Sequence, residues 1–234
     1  MQGLSPGSSG NVKRRLSPSC RWELAEGEVH LWKLDSAHFT AQEGKLMALL
    51  SEEERAKAAR FLQLCDGYDL PLLVLCDTPG MMVGPEVEKT ALVRHCSRLF
   101  VTGANLTIPH CTIVLRKAYG LGAQAMAGGS FKEPFFAVAW PTGEFGGMGL
   151  EGQVKLGYRN ELAAIDDPKE RLQRYEELVA DAYQRGKALN GAVSFGIDDV
   201  IDPADSRAWI LGALRGIPPP PRRAEKKRRN IDTW

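Results

Sequence analysis

Apolar and polar positions along the 234-residue chain change period several times, and each change marks an element. Residues 28–35 (EVHLWKLD) place Val29, Leu31 and Leu34 among polar neighbours, with Trp32 between, which predicts a strand. Ser51 stands before Glu52, Glu53 and Glu54, and an Ala-rich run follows to Cys65. A hydroxyl followed by a glutamate three residues on is a capping box, so a helix is predicted from there. Residues 70–76 (LPLLVLC) are apolar without interruption and end at Asp77-Thr78-Pro79-Gly80, the mark of a strand buried on both faces and then a sharp turn. Residues 86–102 predict one helix, with Val87, Ala91, Val93, Leu99 and Phe100 apolar and Lys89, Arg94 and Arg98 polar. A second buried strand covers 111–115, a glycine-rich turn entering a helix covers 118–126, and a third strand covers 134–140 (PFFAVAW). Residues 150–190 are mostly helical, with Pro168 opening a helix after Asp166 and Asp167. A short apolar piece at 197–201 precedes a last helix over 203–214. Buried strands alternating with helices imply an α/β protein built on parallel βα units.

Three loops after predicted strands carry the candidate chemistry. Gly120-Leu121-Gly122-Ala123 follows one strand and opens a helix. Its backbone N–H groups point outward with partial positive charge and can hold an oxyanion. On spacing alone a plain packing turn is the stronger reading, and the run is not a dinucleotide fingerprint, since the third glycine is displaced to Gly128. The second loop is residues 77–85 (DTPGMMVGP), with Gly80, Met81, Met82, Val83 and Gly84 at its centre; the third is residues 140–149 (WPTGEFGGMG), with Glu144, Phe145, Gly146 and Gly147. Strand C-terminal ends are where open α/β sheets bind ligands, and for both loops the binding and structural readings stand level. There is no GxSxG, HExxH or P-loop. The four histidines are scattered, Glu144 alone offers a carboxylate in a glycine loop, and Asp198 and Asp199 read as caps.

Composition narrows the class. Thirty Lys and Arg face 29 Asp and Glu, a formal net charge of +1, which removes the electrostatic argument for a nucleic-acid partner. No apolar run approaches the ~20 residues of a membrane span. Five cysteines without a CxxC pair read as buried thiols in a reducing compartment, with no disulfide framework and no metal site. A cytoplasmic location is expected. Residues 1–21 are Gly/Ser/Pro-rich and read as a disordered leader; residues 217–234 begin with a proline run and carry six basic residues, an exposed tail.

The order of motifs says more than any one of them. LPLLVLCDTPGMMVGPEVEKTALVRHCSRLF, TIVLRKAYGLGAQAMAGG and VAWPTGEFGGMGLEG, in that order, resemble the carboxyltransferase (β) subunit of biotin-dependent acyl-CoA carboxylases of the propionyl-CoA type, over about residues 58–234. The resemblance implies a crotonase-like spiral of ββα units, and 58–216 would be the second, biotin-side domain of a two-domain subunit. It implies transfer of a carboxyl group from carboxybiotin, carried on a partner protein, to an acyl-CoA, without a metal in this chain. Carried over, the backbone oxyanion hole falls on Leu121 and Gly122. Biotin and substrate contacts fall on Gly80, Met81, Met82, Val83, Gly84, Tyr119, Gly120, Ala123, Gln124, Phe145, Gly146 and Gly147. Propionyl-type relatives carry Gly-Ala where this chain has Leu121-Gly122 and an acidic residue at Gln124, a position that lines the acyl pocket. The biotin nitrogen takes the substrate proton in this chemistry, so few side-chain acids and bases are needed. The implied partners are a biotin carboxylase and carrier subunit and the acyl-CoA-binding carboxyltransferase half, within a homo- or hetero-oligomer.

Residues 22–57 do not fit that family. EVHLWKLD and LLSEEERAKAARF, within about 22–61, resemble the start of a phosphopantetheinyl transferase, without that family's magnesium-binding acidic pair, so a join near Ala58 reads as a segment of different origin. Two other functions remain open on the sequence. One is a non-catalytic truncated module that assembles with full carboxyltransferase subunits. The other is a crotonase-type acyl-CoA hydratase or isomerase, which needs a carboxylate over the thioester and finds only Glu144 near a candidate loop.

Overall fold

In a computed structural model the described residues are 19–24, 27–32, 39–42, 45–48, 52–81 and 83–218, with side chains from Ala58 onward. The expected tail, apart from Ile217 and Pro218, and most of the expected leader lie outside them. One sheet runs in the order β1 (Ser19–Leu24), β2 (Gly27–Trp32), β5 (Leu72–Thr78), β6 (His110–Tyr119), β7 (Phe136–Ala139) and β9 (Asp199–Val200), with β8 (Glu144–Gly146) alongside the end of β6. All neighbours pair in parallel except β1 with β2. A separate hairpin joins β3 (Phe39–Gln42) to β4 (Lys45–Ala48).

Both faces of the central strands are covered, which is why their sequences are apolar without alternation. Leu72, Val74 and Cys76 of β5, Val114 of β6 and Ala137 and Ala139 of β7 share one core with α1 (Glu52–Gly67), α3 (Leu92–Ala104) and α4 (Gly120–Met126). The intervening Leu73, Cys111, Ile113, Phe136 and Val138 meet Ile201 and Ala213, with Trp209 and Ile210 packed against them from α9 (Ser206–Gly216). A third core joins Tyr119 to Leu150 and Val154 of α5 (Leu150–Gly157) and to Leu178 and Ala182 of α7 (Pro168–Arg185). Asp167 caps α7 by accepting from the Lys169 N–H at 3.2 Å, with Pro168 in the first turn as expected. Two short helices, α6 (Arg159–Ala163) and α8 (Ala188–Val193), flank α7.

Three expectations on elements are corrected. The single helix over 86–102 is two, α2 (Pro85–Glu88) and α3, because Ala91 takes a left-handed φ of 59°. The Thr90 hydroxyl donates to the Val87 carbonyl at 2.7 Å, which a continuing helix would have offered to Ala91. The break shifts the apolar phase, so Leu92 is buried and Val93 exposed. The second strand runs on to Tyr119, taking in Arg116 and Lys117, and α4 starts directly after it. β1 begins at Ser19, inside the expected leader, where Cys20, Trp22 and Leu24 alternate with Arg21 and Glu23. The β3–β4 hairpin and β8 had no sequence expectation at all.

Candidate active site

The loops after β5, β6 and β8 meet, and they meet through glycines. A β-carbon on Gly122 would stand 2.8 Å from the Gly80 carbonyl carbon and 2.9 Å from its Cα, so the turn after β6 lies flat on the loop after β5. One on Gly120, at φ +56°, would stand 2.6 Å from the Gly147 carbonyl oxygen, so the same turn abuts the loop after β8. No residue with a side chain fits either contact. Gly80 is held in turn by Thr78, whose buried hydroxyl lies 3.2 Å from both the N–H and the carbonyl of Gly80.

Side chains pin the strand ends. Asp77 Oδ1 accepts from the Lys117 N–H at 3.1 Å, and its carboxylate takes the Arg116 guanidinium at 3.2 and 3.3 Å, where the β5–β6 register shifts. The Tyr119 hydroxyl donates to Glu144 Oε2 at 2.7 Å, joining β6 to β8. Burial first, and then that bond to Glu144, holds the Tyr119 phenol above its ordinary range. On its other side β8 is tied to the chain after α7: the Phe145 N–H donates to the Gly186 carbonyl at 2.7 Å, and Ala188 N–H to Gly143 at 2.9 Å.

The residues singled out by sequence divide accordingly. Gly80, Tyr119, Gly120, Gly122, Phe145, Gly146 and Gly147 come together. Leu121, Gln124 and Gly147 are exposed, while Gly80, Tyr119, Gly122 and Ala123 are buried. Gly122 carries no side chain because the Gly80 backbone takes that space, so the space belongs to packing and not to a ligand. Met81 packs against the core with its sulfur 3.0 Å from Cys96 Sγ. Val83 is exposed, nothing lies within 4 Å of a β-carbon on Gly84, and Met82 lies outside the described residues. Sequence reasoning placed Asp77 and Thr78 at the start of a candidate loop without giving either a role, passed over Arg116, and gave Glu144 no partner. Only the turn residues around Thr78 carried a usable signal, as a hydroxyl two residues before a glycine.

The site's chemistry is that of backbone amides. The first N–H groups of α4 have no acceptor within the helix. Burial pushes the thiols of Cys65, Cys76 and Cys111 up to about 12, so none is a nucleophile at neutral pH. Among the described residues no group of three or more His, Cys, Asp or Glu could hold a metal ion, and no helix is long and apolar enough to cross a membrane. Asp198 Oδ2 accepts the Ala137 N–H at 2.7 Å and ties β7. His110 opens β6, at the opposite end of that strand from Tyr119.

Comparison with known proteins places this architecture. The chain belongs to the carboxyl transferase domain family, whose model matches residues 40–231, starting upstream of the join expected near Ala58. It is 35% identical over 170 residues to the propionyl-CoA carboxylase carboxyltransferase subunit of Haloferax mediterranei, covering 71% of this chain and 32% of that one. It is 37% identical over 162 residues to the methylmalonyl-CoA carboxyltransferase 12S subunit of Propionibacterium freudenreichii subsp. shermanii, covering 68% and 30%. Among solved structures, a single-chain, multi-domain long-chain acyl-CoA carboxylase matches with a TM-score of 0.65 at 52% identity, over 80% of this chain and 17% of that one. The fold is the crotonase-like one that the motifs implied. The chain spans about a third of the length of the curated relatives it matches.

Proposed function

We propose that this chain is the biotin-side component of an acyl-CoA carboxyltransferase. The observation that carries the reading is the convergence of three glycine loops on the Gly120–Gly122 turn, in a chain of this family. Carboxybiotin, held on a partner protein, supplies a transferable carboxyl group. The chain's part is to bind and orient its ureido ring and to hold negative charge on the ring oxygen. The backbone N–H groups of Leu121 and Gly122 are the donors for that charge, and fixed donors cost no reorganisation as the charge develops. The fit rests on the turn itself: Leu121 is 61% exposed, and nothing lies within 4 Å of a β-carbon on Gly147, so a flat ring finds open space beside the amides. Gln124, exposed one turn further on, faces the acyl side of the site, with Phe145 and Gly146 in its wall.

The remaining assignments follow from the same reading. Residues 58–216 form the body of the carboxyltransferase domain, and any segment of different origin ends before residue 40, where the family match begins. The acyl-CoA thioester is bound chiefly by a second carboxyltransferase half, in a cytoplasmic oligomer with a biotin carboxylase and carrier. The 52% identity to a long-chain acyl-CoA carboxylase supports a long acyl chain. Glu144 speaks against a hydratase or isomerase, since its Oε2 is already taken by the Tyr119 hydroxyl.

Leu121→Pro tests the donor assignment. Position 121 lies in the first turn of α4, where proline is tolerated, and the change deletes one proposed donor. In a complex with the acyl-CoA-binding half, transfer should fall about a hundred- to a thousandfold. Leu121→Ala, which keeps the N–H, should transfer at close to the parent rate. Equal rates for the two variants would show that this amide is no donor.

A further inference from the structure

Tyr119 touches all three loops of the site. Its carbonyl oxygen lies 3.5 Å from where a β-carbon on Gly80 would stand, and its ring Cδ1 lies 3.5 Å from that position on Gly146. Its hydroxyl donates to Glu144 at 2.7 Å, and the next residue is Gly120. The ring is 2% exposed, so its work is inside the wall. It packs on Leu150, Val154, Leu178 and Ala182, and behind it Tyr183 of α7 donates to Glu151 of α5 at 2.6 Å. The paired helices α5 and α7 thus bear on the turn through one aromatic ring.

We propose that Tyr119 is a positioning residue, and that the hydrogen bond from its phenol to Glu144 fixes the Gly120–Gly122 turn against β8. The reason is mechanical. Glu144 is half-buried, and without its phenol donor the carboxylate is drawn toward water, with β8 behind it. β8 leads directly into Gly147, whose carbonyl abuts Gly120. A small shift of that carbonyl therefore moves the turn that holds Leu121 and Gly122. Donors displaced by a fraction of an ångström lose much of their effect on a transition state. The assignment rests on the proposed carboxyltransferase role of the turn; the clamp itself is a property of the fold.

The test uses the full chain and three variants, Tyr119→Phe, Glu144→Gln and Glu144→Ala. Amide hydrogen exchange is followed over residues 117–126 and 142–149, with α7 as the internal reference. Tyr119→Phe and Glu144→Ala should speed exchange in both loops by about tenfold while α7 keeps its parent rate. Glu144→Gln keeps a carbonyl oxygen for the phenol and should stay close to the parent. In the complex with the acyl-CoA-binding half, Tyr119→Phe should lower kcat by about tenfold with KM for acyl-CoA changed less than about twofold. Parental loop exchange in Tyr119→Phe, a rise shared equally by α7, or a Glu144→Gln variant no better than Glu144→Ala would each overturn the proposal. If the parent complex transfers no carboxyl group while the exchange pattern holds, the clamp stands and the carboxyltransferase reading fails.

Discussion

At Gly122 a β-carbon would sit 2.8 Å from the backbone of Gly80, and at Gly157 it would meet nothing within 4 Å. The two glycines therefore answer differently to the same change. Gly122→Ala forces two loops apart and should cost about 1–3 kcal/mol of stability in denaturant titration. Gly157→Ala, at the last residue of α5, should leave stability unchanged or raise it by up to about 1 kcal/mol through the unfolded chain. Equal effects would contradict the close approach. That a glycine-rich turn enters a helix over 118–126, and that packing is its stronger reading, was legible in the sequence. What it packs against was not, because Gly80 lies 42 positions away in the chain and the contact is made by backbone, which leaves no side-chain pattern to read. Tyr119 and Glu144 were hidden for a related reason: a phenol and a carboxylate 25 residues apart announce no pairing until β8 is laid beside β6.

Among the elements, long apolar runs were legible and short ones were not. β5, β7, α7 and the last helix follow from burial on two faces, a proline-opened first turn and helical periodicity. β8 has three residues, two of them Glu144 and Gly146, and exists because β6 offers an edge beyond the reach of β7. Arg116 and Lys117 hid the far half of β6, since a strand that emerges from the core carries charge where Asp77 can meet it. The break between α2 and α3 was hidden because Val87, Ala91 and Leu99 continue a helical rhythm on paper. Its left-handed residue gives a direct check. Ala91 at φ 59° is in a region that costs an L-residue about 1–2 kcal/mol and costs glycine little. Ala91→Gly should therefore stabilise the protein, by about 0.5–1 kcal/mol after the entropy of the unfolded glycine is set against it, read as a higher Tm. A lower Tm would mean that α2 and α3 are one helix.

For the whole molecule, the sheet from β2 onward carries its strands in parallel and covers both faces of its central strands, so the C-terminal strand ends are where backbone amides can be left facing outward. The chain spans only about a third of its curated relatives, and on the proposed reading its turn holds charge on one substrate and leaves the other to a partner. Fixing both reacting groups within attack distance can supply ~7–11 kcal/mol of a barrier, and the proposed function assigns that contribution to the chain together with an acyl-CoA-binding half. The decisive measurement is carboxyl transfer to biotin from a long-chain acyl-CoA carboxylated at its α-carbon, by the purified chain with and without that half. The account predicts no transfer above background for the chain alone and saturable transfer for the mixture. Full turnover by the chain alone, or none by the mixture when the two are shown to associate, would contradict it.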